Sequence, residues 1–175
     1  MGYLSQPKGG WVVPVSIDIS EIDKAFFESE MQIALEQLGG KPDPQYIKAS
    51  PVAAEWQGFG EHKGADLEPK AQFELLSEPI KDGPVVFMLH GGGYITGNAE
   101  MERSATFRLA GIADARVFAV DYRLAPQAPF PAALIDAVVA YKYLIEPPPG
   151  ALHSAIDPSK LIIAGDSAGA FLFID

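Results

Sequence analysis

Three continuous apolar runs constrain this chain most. They are PVVFMLH (84–90), RVFAVDYR (116–123) and KLIIAGD (160–166). Runs of this length without polar alternation suit strands buried on both faces, as in a parallel sheet. Helical segments are expected between them, at about 101–113 and 131–146. The second follows Pro129 and Pro131 and is ended by EPPPG (146–150), because proline cannot continue a helix. Strand, helix, strand, helix, strand is the pattern of a parallel sheet with right-handed crossovers. The fold class is therefore α/β, and the loops that follow the three strands share the sheet edge where such folds bind ligands.

Upstream the pattern is weaker. Residues 1–19 carry Gly and Pro punctuation and little period. Ser20 and Asp23 form a near-capping box for a helix running to about Leu38, stopped by Gly39-Gly40. Ile22, Phe26, Met31, Ile33, Leu35 and Leu38 make one broad apolar side, suited to packing on a core or to covering a pocket as a lid. Residues 52–60 and 71–78 are expected to pair as antiparallel strands at the start of the sheet. The charged stretch EHKGADLEPK between them is a loop, with His62 a solvated member. The chain is expected to be a single domain over 1–175, with 1–50 as an N-terminal helical cap segment.

Composition narrows the partners. The 175 residues are 48% hydrophobic and 21% charged, a globular balance with enough chain for a core. A net charge of −10 disfavours nucleic acid and anionic membranes as partners. There is no cysteine, so disulfides and thiolate metal sites are excluded. No apolar run approaches the ~18 residues of a membrane span, and the N-terminus lacks the order of a signal peptide. A cytoplasmic location is the default expectation.

Two motifs at the strand ends carry chemistry. Ser167 follows the third apolar run directly, in G-x-S-x-G (165–169). In so tight a strand-to-helix turn the flanking positions must lack bulk and the serine is pushed up at the sheet edge, the nucleophile elbow. HGGGY (90–94) ends the first run. Its glycines leave backbone N–H groups uncovered, able to approach a developing oxyanion. A phosphate cradle is disfavoured because the Lys-Ser/Thr of a P-loop is missing. Ser167 and His90 are 77 positions apart (167 − 90), room for the two crossover units that bring both loops to one end of one sheet. The N–H of Ala168, just after the serine, is the expected third donor. His90 is read as orienting the loop, not as a base.

HGGGY, DYRLAPQAPFPAALID (121–136) and GDSAG, in that order, resemble the hormone-sensitive-lipase branch of the α/β-hydrolases. The resemblance covers about Gly83 to Gly169. It implies a mostly parallel sheet with flanking helices and a serine esterase acting on small-molecule carboxylic esters, with no cofactor and no metal. Carried over by position, Ser167 is the nucleophile and Gly91, Gly92 and Ala168 form the oxyanion hole. His90, Gly93 and Asp166 support them, Asp166 not being the triad acid. Asp121, Tyr122 and Arg123 are expected to tie the loop beneath the site, and Asp136 to have a surface or packing role. Gln127 stands where the family has glutamate, and FLFID (171–175) replaces the usual helix opening. Members often pair subunits through a sheet edge, so a homo-oligomer of the complete protein is expected.

In this fold the acid and the histidine follow the serine. The chain's histidines, His62, His90 and His153, all precede it. His153 lies in the loop feeding the last strand and is expected at the edge opposite Ser167. Leu161, Ile162 and Ile163 belong to a strand that should be central, and each exposed side chain forfeits roughly 1.5–3 kcal/mol of burial. The chain therefore reads as an N-terminal fragment of a hydrolase, with C-terminal strands and the rest of the triad missing, and is expected to be inactive alone. The alternatives are a catalytically dead, receptor-like binder of small molecules on the same fold, as in the gibberellin receptors, and a non-functional truncated product.

Overall fold

A computed structural model describes residues 9–41 and 43–172. Its elements are β1 (Gly10–Ile17), α1 (Glu21–Gln37), β2 (Val52–Phe59), α2 (Pro69–Ser77), β3 (Val85–Leu89), α3 (Ala99–Ala113), β4 (Arg116–Asp121), α4 (Ala132–Ile145), β5 (Leu161–Gly165) and α5 (Ala168–Phe171). The strands make one sheet in the order β1-β2-β4-β3-β5. The apolar runs are its parallel part: β3 pairs with β4 (Phe87 opposite Phe118) and with β5 (Phe87 opposite Ile163).

Every residue of β3 is buried, and alternation along the strands sorts them to two faces. Val86, Met88, Val117 and Ala119 pack under Ala99 and Ala110 of α3. Val85, Phe87, Leu89, Phe118 and Val120 join Ile135, Val139 and Leu144 of α4 in the larger core on the other face. A continuous apolar run is what a strand covered on both faces requires, so this part of the expectation holds. β5 has one strand partner among the described residues, and its Ile162 and Ile163 are 48% and 41% exposed.

The upstream reading needs two corrections. Residues 71–78 are not a strand: they lie in α2 and the short turn after it. Pro69 sits in the first turn, where its missing N–H costs nothing, and Phe73, Leu76 and Ser77 bury one side at helical spacing. The antiparallel partner of β2 is instead β1, with Val13 opposite Trp56. β1 does alternate, with Trp11, Val13 and Ile17 buried and Pro14 and Ser16 exposed, but the adjacent Gly9-Gly10 and the internal Pro14 obscure that period in the sequence. Such an edge strand tolerates proline.

Ser20 caps α1, its hydroxyl accepting from Asp23 N at 3.1 Å. Phe27, Met31 and Leu35 turn α1 toward the core, while Phe26, Ile33 and Leu38 stay exposed. The side chain of Ile22 lies outside the described residues. On the other face β2 is tied to α3 by polar links: Arg103 to Glu55 at 2.5 Å, and the Thr106 hydroxyl to Gln57. Among the described residues no helix is long and apolar enough to cross a membrane.

Candidate active site

β5 runs straight into Ser167, whose backbone has φ +48° and ψ −113°. That region disfavours a side-chain-bearing residue and persists only where the surroundings enforce it. Here the enforcement is close approach. A Cβ on Gly169 would lie 2.0 Å from the Leu89 carbonyl oxygen, and one on Gly165 would lie 2.6 Å from the Gly169 carbonyl carbon. Both are backbone contacts that cannot yield, so α5 starts against the end of β3 only because positions 165 and 169 are bare. Ser167 is exposed, while Ala168 and Gly169 are buried beneath it.

The glycine loop leaves β3 beside this turn. Asp166 N donates to Leu89 O at 3.3 Å, and a side chain at Gly91 would come within 2.4 Å of Asp166 Oδ2. Gly92 has φ +114° and turns back on itself, its carbonyl accepting from Ile95 and Thr96. No backbone carbonyl among the described residues accepts from the N–H of Gly91, Gly92 or Ala168. His90 is buried below, its Nδ1 2.6 Å from the Gly91 carbonyl oxygen and its ring stacked on Tyr122 at 4.0 Å. Tyr122 donates its hydroxyl to His90 O at 2.6 Å, and burial pushes that phenol up to about 12.

The segment after β4 braces the loop. Asp121 Oδ1 accepts from Ala99 N at 2.5 Å, fixing the start of α3, and burial pushes the Asp121 carboxyl above the usual range. Arg123 reaches Asp136 at 2.7 Å and Lys48 O at 2.7 Å, joining α4 to the segment that leads into β2. Asp136 is fully buried, so its role is the packing one and not a surface one. Burial pushes its carboxyl up, and the bonds from Arg123 oppose that push.

A family model described as the alpha/beta hydrolase fold matches residues 86–174. The chain belongs to the α/β-hydrolase family. It is 39% identical to the ethyl acetate hydrolase of Pseudomonas putida over 164 residues, 93% of this chain and 47% of that protein. Among solved structures it is similar to the hormone-sensitive-lipase homologue EstE7 from a metagenome library (TM-score 0.50, 34% identity, 69% of this chain and 33% of that one). It is likewise similar to EstE1, a thermostable carboxylesterase from a metagenomic library (TM-score 0.52, 30% identity, 71% and 35%). The chain spans less than half the length of each of these relatives.

Within this α/β-hydrolase chain the histidines lie apart. His62 is exposed, 3.1 Å from Gln72 Nε2. His153 is buried between Trp56 and Tyr143, at ring distances of 5.1 and 4.9 Å. It lines a cleft of about 450 Å³ with Gly83, Arg116 and Lys160, residues at the starting ends of β3, β4 and β5. That cleft opens at the end of the sheet opposite Ser167.

Two further residues near the serine take no role from the sequence, Glu102 outside the motifs and Tyr94 as the last residue of HGGGY. Glu102 on α3 has its carboxyl pushed up by burial and then by Asp166. Tyr94 donates its hydroxyl to Ala168 O at 3.0 Å, across 74 positions of sequence. Residues 173–175 of FLFID lie outside the described residues.

Proposed function

We propose that this chain supplies the nucleophile and oxyanion hole of a carboxylic ester hydrolase acting on small-molecule esters. One observation carries the reading. A serine at φ +48° closes β5, and a glycine loop with unengaged N–H groups closes the adjacent β3. Ser167 Oγ attacks the ester carbonyl carbon, and its proton passes to a base. The carbonyl oxygen becomes an oxyanion that accepts hydrogen bonds from Gly91, Gly92 and Ala168 N–H. Collapse of the tetrahedral intermediate expels the alcohol, which takes up the proton and leaves an acyl-serine. Water then attacks the acyl carbon, giving up a proton to the same base, and releases the acid and the free serine.

His90, Gly93 and Asp166 shape the loop and the turn in this reading. The base is none of the three histidines described: His62 is in solvent, His90 is clamped under Tyr122, and His153 is at the other end of the sheet. The 175-residue chain alone is therefore expected not to turn over. The ethyl acetate hydrolase relative favours short acyl and alcohol groups as the substrate class.

Steady-state hydrolysis of p-nitrophenyl acetate and butyrate tests this, using both the 175-residue chain and the longest form its gene encodes. Saturable turnover by the longest form, lost in Ser167→Ala, is expected. A longest form that hydrolyses neither ester, or a Ser167→Ala variant that keeps its rate, refutes the proposal. Turnover by the 175-residue chain that needs Ser167 would overturn the placement of the base outside it.

A further inference from the structure

We infer that Tyr94 is a positioning residue, whose phenol struts the nucleophile turn against the glycine loop and so aims the Ala168 N–H; the inference rests on the ester-hydrolysis reading above. Tyr94 has φ +63°, directly after Gly92 and Gly93, which are also left-handed. Glycine is the easy residue for such a position, and an aromatic side chain there is held at a conformational cost. Backbone strain of this kind points to something the side chain does.

The contacts say what that is. The Tyr94 hydroxyl donates to Ala168 O at 3.0 Å. Its own carbonyl accepts from Ala125 N at 2.8 Å, and its ring packs against the larger core. One residue thus joins the glycine loop, the segment after β4 and the serine turn. Among the described residues this is the one side-chain hydrogen bond from residues 90–97 to residues 165–170. The serine turn is otherwise tied to the end of β3 itself, by the longer Asp166 N to Leu89 O bond of 3.3 Å.

The geometry bears on the reaction at one atom. Ala168 carries the expected third oxyanion donor on its nitrogen and the Tyr94 acceptor on its carbonyl. Holding the carbonyl end limits how far the residue can rotate and where its N–H can point. An oxyanion accepts that N–H only along a narrow range of directions, and the demand is greatest once charge has built up on the oxygen. Ground-state binding of a neutral ester uses the same donor weakly. Loss of the strut therefore falls on turnover and spares binding.

The test is Tyr94→Phe, which keeps the ring and removes the hydroxyl, made in the longest form the gene encodes and in the 175-residue chain. Removing an oxyanion donor outright lowers kcat by about 10²–10³, and removing only what aims it is expected to lower kcat about tenfold. KM should stay within about twofold, with the thermal midpoint little changed. Amide exchange read by mass spectrometry should quicken in peptides covering 90–97 and 166–172 and nowhere else. Unchanged kcat, or a loss of rate accompanied by faster exchange throughout the sheet, overturns the inference. If the unsubstituted longest form hydrolyses no ester and its Ser167 is not labelled by a fluorophosphonate, the ester reading falls instead. Exchange then decides the strut alone: local quickening in Tyr94→Phe supports it, and unchanged exchange refutes it.

Discussion

His153 makes the stability of this chain sensitive to acid. Both ring nitrogens lack a well-formed hydrogen bond among the described residues, and the side chain is 8% exposed between Trp56 and Tyr143. Burial lowers the imidazole from the ordinary 6.5 to about 4, against the opposing pull of the Leu144 and Tyr143 backbone and with a smaller push from the Arg116 cation. A tenfold change in proton affinity is worth about 1.4 kcal/mol, so charging this ring in place costs about 3 kcal/mol. The folded state binds fewer protons here than the unfolded chain between those two values. Stability therefore falls as pH drops from 6.5 to about 4, and the whole loss is present below that window. Urea denaturation at intervals from pH 4 to 7.5 measures it, with His153→Phe as the reference protein. Asp121 and Asp136, whose carboxyls burial pushes up, bend both curves in the opposite sense and cancel in the difference. The difference curve should rise by about 3 kcal/mol across the window. Two curves that run parallel would refute the burial argument. So would a His153 ring that titrates near 6.5 by NMR in the unsubstituted chain, a measurement that stands even if the variant fails to fold.

Other substitutions probe the packing around the serine. Gly169→Ala places a methyl 2.0 Å from the Leu89 carbonyl oxygen, and should cost at least about 3 kcal/mol in a denaturation curve because neither backbone can move aside. Asp136→Asn leaves the Arg123 guanidinium facing a neutral amide. With Arg123 about a quarter exposed, the loss is expected at about 2–4 kcal/mol, again read by denaturation. Glu55→Gln breaks the Arg103 pair between β2 and α3 and should cost less, about 1–3 kcal/mol, since both partners keep some contact with water.

The parallel half of the fold was legible because burial on both faces leaves a mark in the sequence: residues 85–89 and 117–120 are apolar without interruption. The caps were legible for a similar local reason, as Ser20 bonds a backbone three residues away. α2 was misread because Phe73, Leu76 and Ser77 are too few to set a period against the strand alternative. β1 left a mark that proline and glycine obscured: Trp11, Val13 and Ile17 are buried at the two-residue period of a strand, but Pro14 sits between them and Gly9-Gly10 precede them.

Sequence alone determined the residue types at the site. A bare position on each side of Ser167 and bare positions after His90 are requirements of close backbone approach, and such requirements act at fixed short spacings. Only the tertiary structure decided which distant groups meet: Tyr94 with Ala168, Tyr122 with His90, Arg123 with Asp136, and His153 with Trp56. Those partners are brought together by the sheet order β4-β3-β5, which sets β3 between two strands that follow it in the chain. A hydrogen bond across 74 positions leaves no periodicity behind, so nothing along the chain could have announced it.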